Sequence, residues 1–476
     1  MPESAQDKDS LIAQLHAVVG SAGLITDVQA QAGYTTDWLG KWHGRVPVVV
    51  RPANTQEAAA VMRVCHSLRT PVVTQGGNTG MSGGAAPDDS GAQVIVSTNR
   101  MNLIRAVDPV NSTMTVDAGV ILAHAQQAAL DVNRYFPLSL GAEGSCTVGG
   151  NLATNAGGIG VLRYGNMRDL VLGLEVVLPD GRIWDGLRGL RKDNTGYDLR
   201  GLFVGSEGTL GIITGAVLKL FAQPTARATA WVGAASLEQL VNLLTQMRAC
   251  CGERLTAFEM MSAPALALVL AHVLDARAPL LEAHAFNALI ELSDTDDNGL
   301  HALLENTLAQ ALAGGVISDA TLHTSQAQSA ALWKLREGIS QAQVRAGKVI
   351  KHDIALPISS LADFVAKADQ DVRAAAHHLD VAVVNFGHLG DGNLHYNVLL
   401  PVGLSAQAIK EATLLFNRAI HDLVTAFNGS ISAEHGVGQL RRDELKHYKS
   451  PIELEMMMCI KRAFDPNQIM NPGKLL

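Results

Sequence analysis

The sequence has few cysteines, and they form no recognisable pattern. Five occur among 476 residues, and no two of them stand in a Cys-x-x-Cys pair. Disulfide-stapled secreted domains carry paired cysteines at a much higher density, so a disulfide framework is not expected and a reducing compartment fits. The stretch MPESAQDKDS at the N-terminus is polar and carries acids, unlike a secretory signal or an arginine-rich transit peptide. We therefore expect a cytoplasmic protein.

Charge and long apolar runs are also scarce. Charged residues make up 17 % of the chain, the net charge is -8, and lysine and arginine form no dense block. Nucleic-acid-binding proteins usually carry a basic patch, so that role is not expected. The best membrane candidate, residues 265–274, stops at Asp275 and falls short of the ~18 apolar residues that a membrane helix needs. No transmembrane segment is predicted.

Glycine, by contrast, is abundant, with 45 residues. Residues 71–74, PVVT, predict a buried strand that leads directly into the loop at 75–84, QGGNTGMSGG. Consecutive N–H groups in such a loop form a concave anion site, which favours a phosphate or pyrophosphate ligand. The loop lacks the Gly-Lys-Ser/Thr ending of a P-loop and the Gly-x-Gly-x-x-Gly spacing of a Rossmann site, so NAD is not expected. A flexible surface loop is the alternative, but two double glycines directly after a buried strand favour the binding site.

The chain changes character near residue 223. Before that point two more glycine-rich stretches occur, at 140–158 and 202–214, and so much backbone freedom indicates a large ligand lying against main chain. After Pro224 glycines thin out. A chain of this length favours two or three domains. Helices are predicted over residues 237–250, 264–274, 299–313 and 325–345, and a strand over 348–354.

A second polar constellation lies in the C-terminal half. Residues 387–397, GHLGDGNLHYN, follow an apolar run and precede another, which predicts a strand, a glycine-rich turn and a returning strand. His395 and Asn397 are two apart in that returning strand, so they share one face. With His388 and the Glu434-His435 pair, the segment offers two imidazoles and a carboxylate, a set suited to zinc and also to manganese or iron(II). His-x6-His is no standard zinc spacing, and most of the sixteen histidines are expected to be structural, so the pattern leaves both interpretations open.

Taken together, these motifs resemble a known flavoprotein family. The resemblance to the FAD-binding domain of the vanillyl-alcohol oxidase-like flavoproteins is carried by PVVVRP, QGGNTGMSGG, LGAEGSCTVGGNLATNAGG, LRYGNMRDLVLGLEVVLPDG and GSEGTLGIIT. GHLGDGNLH, SAEHGVG and the terminal NPGK resemble the FAD-linked oxidase C-terminal domain. The whole is similar to D-2-hydroxyacid dehydrogenases, most of all to the group that oxidises D-2-hydroxyglutarate.

The resemblance implies an α+β architecture in four parts. Residues 1–43 would form an N-terminal helical segment, and residues 44–223 a two-part FAD-binding domain of the PCMH type. Residues 224–464 would form an α+β domain for substrate and metal, and residues 465–476 a C-terminal segment that returns to the flavin.

The resemblance also implies which residues hold the cofactor. One group would bind the FAD pyrophosphate: Gly76, Gly77, Asn78, Thr79, Gly80 and Ser82. A second would line the flavin and its ribityl chain: Pro137, Gly141, Gly144, Thr147, Gly150, Asn151, Thr154 and Gly157. A third would reach the adenine end (Glu207, Gly208, Ile213), and Asn471 the isoalloxazine ring. Some relatives attach flavin to a histidine in the first loop; none is present here, so non-covalent FAD is expected.

For the second domain the resemblance implies a divalent metal, zinc favoured, on His388, His395 and Glu434. His435 would be the general base, and Asn397 would contact the substrate. Hydride would pass from C2 of the substrate to flavin N5.

A clamp for a second substrate carboxylate is expected from three further residues. Arg336 and Ser340 lie four apart on one helix, so they share a face, and Lys351 follows in the next predicted strand. An arginine fork suits a carboxylate, and lysine adds a point charge. The resemblance implies that such a pair favours D-2-hydroxyglutarate, giving 2-oxoglutarate, although the family commonly has Thr where this chain has Ser340.

Two other functions and several partners stay open at this stage. The alternatives are D-lactate (or another D-2-hydroxyacid) dehydrogenase and a non-catalytic flavin-binding subunit of a larger complex. Electron-transfer flavoprotein or a quinone is the expected electron acceptor, and a homodimer is possible.

Overall fold

The computed structural model describes residues 5–323, 325–376 and 379–476. These divide into two compact units. Unit 1 comprises the residues up to Gly158, Tyr164–Gln223 and Glu434–Leu476, and unit 2 comprises Ile159–Arg163 and Pro224–Ala433. The sequence predicts a second domain that runs from residue 224 to residue 464. In the structure unit 2 ends at Ala433, and the chain then returns to unit 1.

Up to Gln223, short strands alternate with helices. The helices are α1 (Ala5–Val19), α2 (Val28–Thr35), α3 (Thr55–Leu68), α4 (Leu122–Leu130), α5 (Val148–Ala153), α6 (Val161–Tyr164), α7 (Met167–Leu170) and α8 (Leu199–Phe203), with a 3-10 turn at Ser21–Gly23. The strands are β1 (Leu24–Ile25), β2 (Val49–Val50), β3 (Val72–Gln75), β4 (Val94–Ser97), β5 (Ile104–Asp108), β6 (Thr113–Asp117), β7 (Arg134–Tyr135), β8 (Val171–Val177), β9 (Ile183–Gly186), β10 (Ile212–Lys219) and β11 (Phe221–Ala222).

The remainder of the chain has longer elements. The helices are α9 (Leu237–Cys251), α10 (Ala263–His272), α11 (Leu300–Ala313), α12 (Gln326–Ala346), α13 (Leu361–Ala375), α14 (Ala406–Ala426), α15 (Arg442–Tyr448) and α16 (Pro451–Phe464), with 3-10 turns at Gly252–Arg254 and Ile358–Ser360. The strands are β12 (Ala226–Ala234), β13 (Leu255–Ser262), β14 (Phe286–Asp294), β15 (Asp319–His323), β16 (Val349–Ile350), β17 (Asp353–Ala355), β18 (Ala382–His388) and β19 (Asn393–Leu399).

Unit 1 is built on two main sheets. The first has the order β1-β2-β4-β3, in which β2, β4 and β3 run parallel. The second is antiparallel, in the order β5-β6-β10-β8-β9. Helix α3 covers the first sheet with its apolar stripe, and it begins where its N-cap residue Asn54 accepts the N–H of Glu57 at 2.9 Å.

Unit 2 is organised around one antiparallel sheet in the order β15-β12-β14-β13-β18-β19-β16, with β17 also paired to β19. Side chains alternate between the faces of a strand. One face packs against α9, α11, α13 and α14, and the other against α10 and α12. Helix α12 therefore lies over the face that carries Met261 and Phe386.

The predicted strand, glycine-rich turn and strand around residue 390 is confirmed as the hairpin of β18 and β19. Gly387 (φ 154°) and Gly392 (φ 87°) take backbone conformations that favour glycine. A Cβ at Gly387 would lie 2.5 Å from the carbonyl oxygen of Asn393, so the two strands approach closely at this end.

Within the described residues, no helix combines the length and the hydropathy needed to cross a bilayer.

Candidate functional site

A cleft in unit 1 is lined by the first glycine-rich loop and by its neighbours. Its empty volume is about 960 Å³, open solvent at the mouth included. Most residues predicted to hold FAD line it: Gly76, Gly77, Asn78, Thr79, Gly80, Ser82, Thr147, Gly150, Asn151, Thr154, Glu207, Gly208 and Ile213. His435 lines it too.

The loop after β3 presents main-chain donors rather than side chains. Among the described residues, none accepts a hydrogen bond from the backbone N–H groups of residues 76–80. A row of unpaired N–H groups is a site for an anion, so the loop fits a pyrophosphate. Gly76 and Gly77 must be glycine for packing, because a Cβ there would lie 2.3 Å from the Thr147 hydroxyl and 2.1 Å from the Ser145 carbonyl oxygen.

Five residues predicted to contact the cofactor lie outside the lining of this cleft: Pro137, Gly141, Gly144, Gly157 and Asn471. Asn471 stands directly behind it. Its Nδ2 donates to the carbonyl oxygens of Gly84 (3.0 Å) and Glu207 (2.8 Å), both of which line the cleft. Its Oδ1 is buried without a hydrogen-bond partner in the described part of the chain. Such an orphaned acceptor fits a ligand that carries an N–H or O–H group.

The segment after His435 is fastened to the wall of the cleft. Glu207 accepts the N–H groups of Val437 and Gly438, both at 2.7 Å. Ser82 donates its hydroxyl proton to the carbonyl oxygen of His435 at 3.0 Å. Burial raises the pKa of Glu207, and the two N–H bonds offset part of that rise. Glu207 and Ser82 thus fix the backbone that carries the predicted base, in addition to lining the cleft.

In unit 2, strand register brings a set of polar side chains to one sheet face. Phe386 pairs with His395 across the hairpin, and Glu259 of β13 pairs with His388. Paired residues in antiparallel strands project to the same side. His388, His395 and Glu259 therefore share the face that α12 covers.

Glu259 is the central group of this face. Its Oε1 lies 2.7 Å from Nδ1 of His388, and its Oε2 accepts a hydrogen bond from Nε of Arg336 at 2.8 Å. Burial opposes ionisation of this carboxyl, but the charges and hydrogen bonds of His388 and Arg336 outweigh it and lower its pKa. A metal bound by His388 would take Nε2, because Nδ1 is engaged by Glu259.

His395 is also backed by a carboxylate. Asp353 pairs with it across β17 and β19, and its Oδ1 lies 3.7 Å from Nδ1 of His395. Asn393 donates to that same oxygen at 3.0 Å, which fixes the position of the carboxylate. Histidines that ligate metals in proteins generally turn their other nitrogen toward such a group.

The predicted metal-binding residues form a cluster. The potential ligand atoms of His388, His395 and Glu434 all lie within 4.8 Å of one another, the one group of three such residues in the described ranges. Glu434 directly follows Ala433, the last residue of unit 2, whose N–H bonds to the Asp353 carbonyl oxygen at 3.2 Å. Two imidazoles and one carboxylate suit a divalent ion such as zinc, and the acids behind the imidazoles would orient them.

The residues predicted to bind substrate occupy different parts of this face. Arg336 is buried on α12, with its guanidinium carbon 5.0 Å from the ring centroid of Phe386. Ser340, one turn later, is exposed. Lys351 is also exposed, and β16 and β17 pair with β19 in one register, which places Lys351 opposite Asn397. Arg336 lies over β18, and Lys351 lies between β16 and β17, on the far side of β19. Two strand spacings, about 10 Å, therefore separate these positions in the sheet.

The continuous strand predicted over residues 348–354 is wrong, because it is interrupted at Lys351 and His352. The N–H of His352 donates to Oδ1 of Asn397 at 3.1 Å instead of to the neighbouring strand's carbonyl oxygen. Asn397 in turn donates from Nδ2 to Gln343 at 3.0 Å. Its amide thus holds the interrupted segment that carries Lys351.

Sequence reasoning missed Glu259 and Asp353. Both lie in strands that are otherwise uncharged, LTAFEMMS and DIA. The signal that could have found Glu259 is its isolation, since one acid within an apolar strand needs a buried cation or metal-bound group as partner.

Comparisons with known proteins identify the family of this chain. A family described as "FAD binding domain" matches residues 46–186, and one described as "FAD linked oxidases, C-terminal domain" matches residues 223–475. The chain belongs to the FAD-linked oxidases. It is an FAD-dependent oxidoreductase, and the cofactor expected for the cleft of unit 1 is FAD.

Several curated relatives of this FAD-linked oxidase are similar over almost its whole length. Bovine mitochondrial D-2-hydroxyglutarate dehydrogenase is 39 % identical over 100 % of this chain and 85 % of its own. The mitochondrial D-2-hydroxyglutarate dehydrogenase of Arabidopsis thaliana is 37 % identical over 99 % and 82 %. A putative mitochondrial D-lactate dehydrogenase of Schizosaccharomyces pombe is 35 % identical over 99 % and 91 %.

Solved structures share the fold. p-Cresol methylhydroxylase superposes with a TM-score of 0.78 at 17 % identity, over 99 % of this chain and 97 % of that one. Alkyldihydroxyacetonephosphate synthase gives 0.74 at 17 %, over 99 % and 86 %. The predicted fold class, a PCMH-type FAD-binding domain with an α+β second domain, is confirmed.

Proposed function

We propose that this FAD-linked oxidase oxidises D-2-hydroxyglutarate to 2-oxoglutarate. The observation that carries the proposal is the shared sheet face of unit 2, where His388 of a three-residue metal set and the buried Arg336 meet at Glu259. Relatives at 37–39 % identity named for this substrate support it.

The metal set has a defined task in this reaction. His388, His395 and Glu434 would hold a divalent ion, with zinc favoured by the nitrogen and oxygen donors. The chemistry that the ion supplies is Lewis-acid polarisation of the substrate's 2-hydroxyl, which lowers the pKa of that group.

His435 acts as the general base that takes the hydroxyl proton. It lines the cofactor cleft and directly follows Glu434 in the chain. Its backbone is held by the bonds from Ser82 and, through the next residues, to Glu207. The chemistry that bound FAD supplies is acceptance of a hydride from C2 of the substrate at N5.

Arg336 and Lys351 bind the far carboxylate of the substrate, with Ser340 and Asn397 supporting them. A charged fork and a point charge at fixed positions orient C2 and convert binding energy into alignment. D-lactate has no second carboxylate and gains nothing from this pair.

We further propose that FAD is bound non-covalently. The loop that faces the cleft contains Asn78 and Thr79 after its glycines, and no histidine occurs between residues 75 and 84. Acid precipitation should release all of the flavin into the supernatant, and flavin retained on the precipitated chain would contradict the proposal.

The experiment compares kcat/KM for D-2-hydroxyglutarate, D-malate and D-lactate in native protein and in Lys351→Ala. The variant should raise KM for D-2-hydroxyglutarate by about 10- to 100-fold, because a charge-assisted contact is lost, and should change D-lactate little. The matched control is Lys348→Ala. Lys348 is an exposed lysine three residues before Lys351, and side-chain alternation along the extended chain places it on the opposite face of the sheet.

Equal effects on both substrates, or a higher native kcat/KM for D-lactate, would favour the alternative, a D-lactate dehydrogenase. A native chain that reduces no dye with any of the three substrates would favour a non-catalytic flavin subunit. Chelation with EDTA should abolish turnover, and zinc should restore it.

We also propose electron-transfer flavoprotein or a quinone as the acceptor, a cytoplasmic location and a homodimer. The cysteine usage supports a reducing compartment, whereas the relatives named above are mitochondrial. Acceptor-specific turnover, cell fractionation and light scattering on the purified chain test the three points.

A further inference from the structure

Glu259 is a carboxylate in a place that disfavours one. Every residue of its strand β13 is buried, and Glu259 itself is 1 % exposed. A buried charge is costly unless each of its acceptor positions is satisfied. Its retention in the middle of the sheet therefore needs a reason in the groups that it contacts.

Each oxygen of Glu259 serves a different partner. Oε1 faces Nδ1 of His388 at 2.7 Å, and Oε2 faces Nε of Arg336 at 2.8 Å. His388 belongs to the proposed metal set, and Arg336 to the proposed carboxylate clamp. One side chain thus touches both halves of the substrate site.

The contact with His388 fixes how that ring can bind a metal. A carboxylate on Nδ1 sets the ring's tautomer and orientation and makes the other nitrogen a better ligand. On the other side, the Nε bond fixes the plane of the Arg336 guanidinium, which also lies 5.0 Å from the Phe386 ring centroid. The contacts with Glu259 and Phe386 together fix the direction of the terminal nitrogens of Arg336, which would otherwise belong to a flexible side chain.

We propose that Glu259 is a positioning residue that couples the metal site to the clamp for the second substrate carboxylate. It aligns His388 for the metal and Arg336 for the carboxylate through one shared group. This inference rests on the proposed function. Because Arg336 and His388 share Glu259, a change at Arg336 should alter metal affinity although Arg336 is not a metal ligand.

The test measures zinc affinity, which is independent of turnover, on FAD-loaded native protein and on Glu259→Gln. An amide keeps the size of the side chain but can accept only one of the two hydrogen bonds. Zinc should bind about 10- to 100-fold more weakly, the usual effect of losing the group behind a ligating histidine. A chelating dye in competition gives the dissociation constant.

The matched control is Glu291→Gln. Glu291 is a buried carboxylate on the same sheet face, and it also bonds to α12, accepting from Nε1 of Trp333 at 3.0 Å, but it contacts neither His388 nor Arg336. The zinc affinity of the Glu291→Gln variant should stay within about twofold of that of the native protein. Glu259→Asp, which keeps the charge but is too short to reach both partners, serves where the amide variant fails to fold, and it should weaken zinc binding as well.

The coupling itself is measured by adding Arg336→Gln to both backgrounds. In native protein this change should alter the zinc dissociation constant, and in Glu259→Gln it should have no further effect. Equal effects in the two backgrounds, or native zinc affinity in both Glu259 variants, would overturn the inference while leaving the proposed function intact. A native chain that binds no zinc would overturn both.

Discussion

The two units build their binding sites from different materials. The cleft of unit 1 presents backbone N–H groups along a glycine loop, with side chains mainly holding the loop in place. The face of unit 2 presents ionisable side chains, each supported by another side chain behind it. The first kind of site is specified by the absence of Cβ atoms, and the second by charge and hydrogen bonding.

This difference predicts different sensitivities. A site made of backbone fails when something is added, because a Cβ at Gly76 or Gly77 would overlap neighbouring atoms. A site made of side chains fails when something is removed, because a partner is left buried and unpaired. The variants below test that contrast.

The largest effect is expected for Gly77→Ala. The added Cβ would lie 2.1 Å from the Ser145 carbonyl oxygen, a separation that real Cβ atoms do not adopt, so the loop must shift. We expect the purified variant to carry no FAD, measured by absorbance near the flavin maximum and by reconstitution.

Gly33→Ala is the control for this change. Its Cβ would meet no atom within 4 Å, and it lies in helix α2, where alanine is a better helix former than glycine. Normal flavin content in Gly77→Ala would show that the loop tolerates side chains, and the contrast between the two units would disappear.

The second largest effect is expected for His435→Ala, which removes a side chain from the cleft of unit 1. General-base catalysis contributes about 10²- to 10⁴-fold, so kcat should fall by that factor while FAD content stays native. His447→Ala, an exposed histidine in the same C-terminal part of the chain, should leave kcat unchanged. Near-native turnover in His435→Ala would remove it as the base.

A smaller effect is expected where unit 1 does depend on side-chain charge. Lys461 on α16 donates to Asp465 at 2.6 Å and to two carbonyl oxygens, and Asp465 also accepts two N–H groups of the following turn. Lys461→Met leaves the buried carboxylate of Asp465 without its cation, so the free energy of unfolding should fall by about 3–5 kcal/mol.

The control for Lys461→Met is Lys449→Met, which removes an ion pair of the same i,i+4 spacing with Glu453. Both of its side chains are 47 % exposed, and exposed pairs contribute about 1 kcal/mol or less. Chemical denaturation of both variants tests the contrast. Equal losses would mean that burial does not determine the strength of these pairs.

What could be predicted from the sequence follows the same division. Glycine-rich loops are visible in a linear sequence, and the loop at residues 75–84, which directly follows a buried strand, predicts an anion site. Glycines frame His388, His395 and the Glu434-His435 pair, which leaves a metal site open as one interpretation, and the family resemblance implies the set of His388, His395 and Glu434. The turn between β18 and β19 was predicted from its glycines as well.

The supporting residues could not be predicted, because they come from distant strands. Glu259 reaches His388 across 129 residues of sequence, and nothing in LTAFEMMS indicates its partners. The interruption of the strand at Lys351 and His352 depends on Asn397, whose amide replaces a strand hydrogen bond. These hydrogen bonds depend on the pairing register of the sheet, which brings residues from distant strands together.

The proposed chemistry depends most on the divalent metal that His388, His395 and Glu434 would hold at the substrate site. The most direct measurement is the zinc stoichiometry and dissociation constant of the FAD-loaded chain, compared with those of His395→Ala. We predict one zinc per native chain, and at least about 100-fold weaker binding in the variant with FAD retained, since one of three protein ligands is lost. Equal zinc binding by the two proteins, or none by the native chain, would rule out this metal site.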